Sequence, residues 1–211
     1  MSVPENGLTE PIVWVDCEMT GLDLTKDALI EIGVVVTDSS LTPLADGIDI
    51  VIKPPDGPLA QMSEFVRQMH SSSGLLEQLA TGTTLHDAEA AALAYVQQFA
   101  SGPGRAPLAG NSVSTDRAFI DRDMPHLGAY LHYRTIDVSS LKELARRWYP
   151  RVYFAAPEKL GGHRALADIQ DSIDELRYYR SCMLVPEPGP DSDTARAAAL
   201  AIQESSARRT R

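Results

Sequence analysis

The stretch from Ile12 to Gly21, reading Ile-Val-Trp-Val-Asp-Cys-Glu-Met-Thr-Gly, constrains this chain more than any other. Ile12 to Val15 are β-branched or aromatic, the composition of a buried strand. Two carboxylates, Asp16 and Glu18, follow at its C-terminal end. Side chains alternate along a strand, so both acids project from one face and Cys17 from the other, toward core packing. Taking two carboxylates out of water is costly unless a cation sits between them. A solvated strand end explains the same spacing, so a metal reading needs further ligands elsewhere.

The following segments predict how such ligands could be brought in. Residues 28–36 (ALIEIGVVV) read as a second strand and 48–52 as a third, an antiparallel meander joined by short turns. Helical pieces follow from 59 to 79, broken around Ser71–Gly74. Leu85, Ala88, Ala92, Tyr95 and Phe99 recur near every 3.6 residues and predict a helix over 84–99. Residues 107–111 predict a strand leading into a helix capped by Ser114 or Thr115 and running through Phe119 and Ile120. A strand over 134–138 precedes a helix over 141–148 capped by Ser139 or Ser140, and a long helix covers 164–181. Three strands followed by alternating helices and strands predict an α/β fold, a mixed sheet flanked by helices in a single domain. Residues 1–10 read as a flexible lead-in, 11–184 as the domain, and 185–211 as a flexible tail with a helical turn or two near 195–203.

Charge narrows the partners. The chain carries a net charge of −10, and residues 186–211 hold four acidic and four basic side chains, so the excess belongs to the body. Proteins that grip long nucleic acid neutralise many phosphates with a basic face. No basic run here exceeds the pair Arg208–Arg209. Any nucleic-acid substrate is therefore expected to be short, with metal ions supplying most of the positive charge. No apolar run reaches the ~18 residues of a membrane span, the first ten residues lack the pattern of a secretory signal, and Cys17 and Cys182 form no zinc spacing. A reduced, cytoplasmic setting fits.

Further acids then come into view. Asp116 falls in the first turn of a predicted helix, where an acid is favourable with the dipole alone; Asp121 and Asp123 read as solvent-facing. His163 and Asp168 are five residues apart, about 140° around a helix, so they converge only if His163 lies on the loop or helix start that follows Gly161–Gly162. A histidine so placed, before an acid-bearing helix, invites a general-base reading. Asp137 sits on an apolar strand, but the next helix offers it a structural role. Asp16, Glu18, Asp116 and Asp168 together supply the oxygen ligands that two Mg²⁺ or Mn²⁺ ions prefer. Such a pair stabilises the attacking and leaving oxygens of a phosphoryl displacement.

The blocks Asp16–Leu22 (DCEMTGL), Asn111–Asp116 (NSVSTD) and His163–Asp168 (HRALAD) resemble the three exonuclease motifs of the DEDDh class. Trp14–Asp23 and Tyr133–Trp148 further resemble the oligoribonucleases, a likeness that covers about residues 11–183. The resemblance implies an RNase H-like fold, a homodimer and 3′→5′ hydrolysis of very short RNA oligomers, down to dinucleotides. It implies that Asp16, Glu18, Asp116 and Asp168 hold two Mg²⁺ or Mn²⁺ ions and that His163 is the general base. Leu22 would wedge against the bases, with Phe65, where the family often has tryptophan, as a smaller stacking platform. His70 and Ser112 would cap or hold the terminal phosphate, Ser139 would join the substrate-binding residues, and Tyr133 and Arg134 would reach the substrate from the partner subunit. Same-fold relatives that trim longer RNA or single-stranded DNA are the nearest competing reading, and a silent dinucleotide-binding module is a more distant one. On bland readings Leu22 is a packed turn residue, Tyr133 a core-edge aromatic and His70 an exposed polar residue.

Overall fold

The computed structural model describes residues 10–159 and 162–209; the expected lead-in lies outside them apart from Glu10, as does Gly161. Strand β1 (Ile12–Met19) pairs antiparallel with β2 (Leu29–Thr37), which pairs antiparallel with β3 (Ile48–Val51). The expected meander is therefore present. On the other side of β1, β4 (Leu108–Gly110) and β5 (Thr135–Asp137) join in parallel, which gives the order β3-β2-β1-β4-β5. Parallel neighbours need crossovers, and helices supply them.

Between β3 and β4 run α1 (Asp56–Gln61), α2 (Glu64–Ser72), α3 (Leu75–Gln78) and α4 (Leu85–Gln97). The break between α2 and α3 falls at Gly74, whose φ of +74° costs glycine little. Between β4 and β5 lie α5 (Ser114–Asp123) and α6 (Pro125–Tyr130). After β5 come α7 (Val138–Trp148), α8 (Pro150–Phe154), α9 (Ala165–Met183) and α10 (Ser192–Arg209).

Strand alternation sorts the sheet into two cores. Val13, Val15, Cys17 and Met19 pack with Phe119, Ile120 and Tyr95 beneath α4–α6, while Trp14 packs with Ile169, Ile173 and Tyr179 beneath α9. Cys17 is thus core, on the face opposite the acids. Trp14 keeps its indole N–H satisfied by donating to the Thr37 hydroxyl at 3.0 Å.

Several expectations are corrected. Neither Ser114 nor Thr115 caps α5; its N-cap is Val113, with no side-chain bond. The cap of α7 is Asp137 rather than Ser139 or Ser140, because Asp137 accepts the Ser139 N–H and the helix starts at Val138, earlier than expected. The short helices α6 and α8, each opened by a proline, were not legible in the periodicity. In the tail, α10 spans 18 residues rather than a turn or two, and none of them is buried.

Candidate active site

The C-terminal end of β1 brings Asp16 and Glu18 to the α9 face of the sheet. Across the β1–β2 ladder Asp16 stands opposite Gly33 and Glu18 opposite Glu31. Gly33 has a packing reason: a Cβ there would lie 2.9 Å from the Ala165 backbone, so α9 starts directly against the strand. That contact carries Asp168, in the first turn of α9, over the acids of β1.

Asp116 arrives from α5. Its Oδ1 accepts the Cys17 N–H at 3.0 Å, which ties the helix start to the strand between the two β1 acids. His163 lies two residues before α9, as its spacing from Asp168 required, with φ of +61°. A left-handed non-glycine residue costs about 1–3 kcal/mol and persists only where its surroundings hold it. Ligand atoms of Glu18, His163 and Asp168 all fall within 4.8 Å of one another. The four acids and the histidine are therefore brought together at one end of the sheet.

Their electrostatics are those of crowded, desolvated carboxylates. Burial pushes the Asp16 carboxyl up to about 9, helped by repulsion from Asp116, Glu18 and Asp168. Burial also raises Glu18 to about 8, with Asp168 and Glu31 adding repulsion. Asp116 rises to about 7 through burial, against the Cys17 N–H that favours its charged form. Asp168 is raised by burial too, partly offset by His163 and Lys159. Four oxygen-donor side chains that resist ionisation together fit a divalent cation, which supplies the positive charge they lack.

Around this cluster the other candidates divide. Leu22 and Phe65 are 74% and 77% exposed, and Phe65 lines a groove of about 460 Å³ with Gln68, Met69, Gly162 and His163. Tyr133 is 75% exposed, stacks on His132 with ring centres 4.5 Å apart, and lies under the Arg134 guanidinium at 5.3 Å. The packed readings of Leu22 and Tyr133 are thus set aside. Ser112, left-handed at φ +52°, donates its N–H to Asp137 and to the Ser139 hydroxyl, each at 3.0 Å. Ser139 in turn donates to Asn111, which reaches the buried Glu175. Asp137 therefore serves as a structural clamp.

His70 departs most from expectation. It is fully buried rather than exposed and is not among the residues that line the groove. Its Nε2 lies 2.9 Å from the Met19 carbonyl, an acceptor, so Nε2 carries the proton and Nδ1 faces Glu18.

Three participants went unrecognised in the sequence. Glu31 is a fully buried acid within an otherwise apolar strand, a signal that alternation alone could have flagged. Arg164, beside His163, pairs with it. Lys159, another, pairs with Glu175 at 3.7 Å and draws the Asp16 and Asp168 carboxyls down.

Comparison with known proteins agrees with this arrangement. The exonuclease (RNase T) family matches residues 13–176. An oligoribonuclease of Streptomyces avermitilis is 64% identical over 189 residues, covering 90% of this chain and 94% of that protein. One from Leifsonia xyli subsp. xyli is 56% identical over 196 residues, covering 93% and 95%. Among solved structures, Escherichia coli exonuclease I in complex with single-stranded DNA superposes with a TM-score of 0.62 at 17% identity over 82% of this chain. Exonuclease I of Methylocaldum szegediense gives 0.58 at 19% identity. This chain spans only 41% of either exonuclease I chain, and at such identity the likeness concerns the fold, an RNase H-like exonuclease fold. Matched by the family across most of its length and more than half identical to relatives along nearly theirs, this chain belongs to the exonuclease family and, within it, to the oligoribonucleases.

Proposed function

We propose that this protein is a 3′→5′ exoribonuclease that hydrolyses very short RNA oligomers, down to dinucleotides, into 5′-mononucleotides. The observation that carries this reading is the convergence of Asp16, Glu18, Asp116 and Asp168 with His163 beside an open groove. The four acids would hold two divalent ions, Mg²⁺ or Mn²⁺. Bound there, such a pair supplies the charge that stabilises the attacking and leaving oxygens of the phosphodiester.

The chain's own groups supply the rest. His163, on its exposed loop, takes the proton of the attacking water in its neutral form. Leu22 and Phe65 present exposed apolar surface for the two bases. Ser112 and Ser139 offer hydroxyls 3.2 Å apart for the terminal phosphate. Tyr133 and Arg134 are exposed, and we assign them to the substrate of a second copy in a homodimer. A short substrate accords with the charge, since a body near −10 lacks the basic track that a long strand would need. The catalytic domain is taken as residues 11–184, with 185–211 outside it. Both cysteines are free, in keeping with a reduced cytoplasmic setting; among the described residues no helix is long and apolar enough to cross a membrane.

A substrate-length series tests the proposal. Turnover of a dinucleotide and of a longer RNA is compared with Mg²⁺, with Mn²⁺ and with chelator. The dinucleotide should be preferred and chelation should abolish turnover; preference for the longer RNA would sink the short-substrate reading.

A further inference from the structure

The segment that carries His163 is held by a part-buried ion pair outside the ligand set. Glu31 projects from β2 on the same face as Gly33 and stands directly across the ladder from Glu18. Its Oε1 accepts from the Arg164 guanidinium at 2.7–2.8 Å, and its Oε2 accepts the Ala165 N–H at 3.0 Å. Arg164 also reaches Asp49 on β3 at 3.1 Å.

Three features converge here. The first N–H groups of a helix lack intrahelical partners, and Arg164, at the N-cap of α9, offers no side-chain cap. Glu31 caps the helix from the sheet instead. Immediately upstream, Gly162 and His163 both adopt left-handed backbone, at φ +84° and +61°. Such a histidine relaxes unless a neighbour fixes the chain on at least one side. Finally, two carboxylates directly opposite on a ladder repel, and the guanidinium neutralises the one that is no ligand. Arg164 thus serves both the strained loop and the charge beside Glu18.

We infer that the Glu31–Arg164 pair is a positioning device that holds His163 against the acid cluster. Its place in the reaction rests on the general-base reading of His163 given above. The Arg164 guanidinium is engaged by Glu31 and Asp49. It fixes the backbone one residue from the base, so its loss should change how often His163 is in reach rather than how substrate binds.

The test compares Arg164→Ala, Arg164→Lys, His163→Ala and the double variant His163→Ala/Arg164→Ala. Measured are kcat and KM on a dinucleotide at saturating Mn²⁺, Mn²⁺ affinity by calorimetry, and thermal stability. Arg164→Ala should lower kcat about tenfold or more, in line with misplacement of a reacting group, while KM and Mn²⁺ affinity hold. Arg164→Lys should recover part of the rate, because one ammonium can meet Glu31 but not span to Asp49 as the fork does. On the His163→Ala background the Arg164 substitution should have no further effect on the residual rate. Glu31→Gln, which keeps an acceptor for Ala165 but loses the charge, should resemble Arg164→Ala; if it fails to fold, the Arg164 series decides alone. Should Arg164→Ala keep the parental kcat while His163→Ala is crippled, the positioning role fails and the base reading stands. Equal rate losses from Arg164→Ala with and without His163 would likewise overturn it. Parental turnover in His163→Ala would overturn the base reading, and the inference with it.

Discussion

Glu18 and His70 face each other across 3.8 Å, carboxylate Oε2 to imidazole Nδ1, and that ring nitrogen is buried without a hydrogen-bond partner among the described residues. Burial lowers the His70 pKa against the Met19 carbonyl, which raises it, so the ring is neutral at physiological pH. It acts as a wall behind Glu18, anchored to the last residue of β1. His70→Ala should therefore cost about 2–4 kcal/mol of stability, as other large-to-small core changes do, and weaken Mn²⁺ binding. Thermal unfolding with calorimetric titration checks this. A variant of parental stability that loses only substrate affinity would instead indicate that the ring swings out to the phosphate.

Asp116 separates fold from function cleanly. Asn at this position retains an oxygen acceptor for the Cys17 N–H but not the charge. Asp116→Asn should keep its melting temperature near the parental value. Its Mn²⁺ affinity should fall by more than the roughly 10–100-fold typical of groups behind a ligand, and hydrolysis should be lost. Parental turnover would remove Asp116 from the ligand set.

The crowded acids set a pH dependence of opposite sign with and without metal. Burial and mutual repulsion hold Asp16 at about 9, Glu18 at about 8 and Asp116 at about 7, against 3.8–4.5 when free in the unfolded chain. The native state thus binds more protons than the unfolded state between those limits, and its stability falls as pH rises through them. Metal-free protein should melt lower near pH ~9 than near pH ~6. A divalent ion needs the carboxylates ionised, so its affinity should rise with pH and its binding should release protons. Scanning calorimetry with and without chelator, and titrations in buffers of different ionisation enthalpy, read both effects. A metal-free protein that gains stability toward pH ~9 would contradict this balance.

The loop bearing Leu22 is held from α5. Arg122 donates to the Leu24 carbonyl and, at 2.8 Å, to the Asp27 carbonyl, while its guanidinium lies 4.7 Å over the Phe119 ring and pairs with Asp123. Arg122→Ala should raise KM for a dinucleotide several-fold, with kcat less affected, and cost about 1–2 kcal/mol of stability. Leu22→Ala should raise KM similarly with little change in melting, because the side chain is exposed. An unchanged KM in both would detach the loop from substrate binding.

Local signals made much of this molecule readable in advance. Alternation in β1 placed Asp16 and Glu18 together and sent Cys17 to the opposite core, because strand geometry has period two regardless of context. The Gly–Gly before His163 and the phase between His163 and Asp168 required the histidine to lie outside the helix, and it does. Helix caps were less readable: Asp137 displaced Ser139 because the same carboxylate also had to hold the left-handed Ser112. Such shared use of one acceptor is visible only when β4 and β5 are adjacent.

By itself, the sequence determined the strands and the longer helices of the core, the family motifs and the identity of the acids that converge, since these follow from periodicity and residue chemistry along the chain. Only the tertiary structure decided that His70 is buried behind Glu18, that Leu22 stands exposed and that Phe65 lines the groove. It also decided that Glu31, 133 residues from Arg164, caps the helix that carries Asp168. Burial and long-range pairing depend on which faces of distant elements meet, and no local pattern encodes that meeting. The acids of β1 thus have their face set by the strand and their charge environment set by what folds over it.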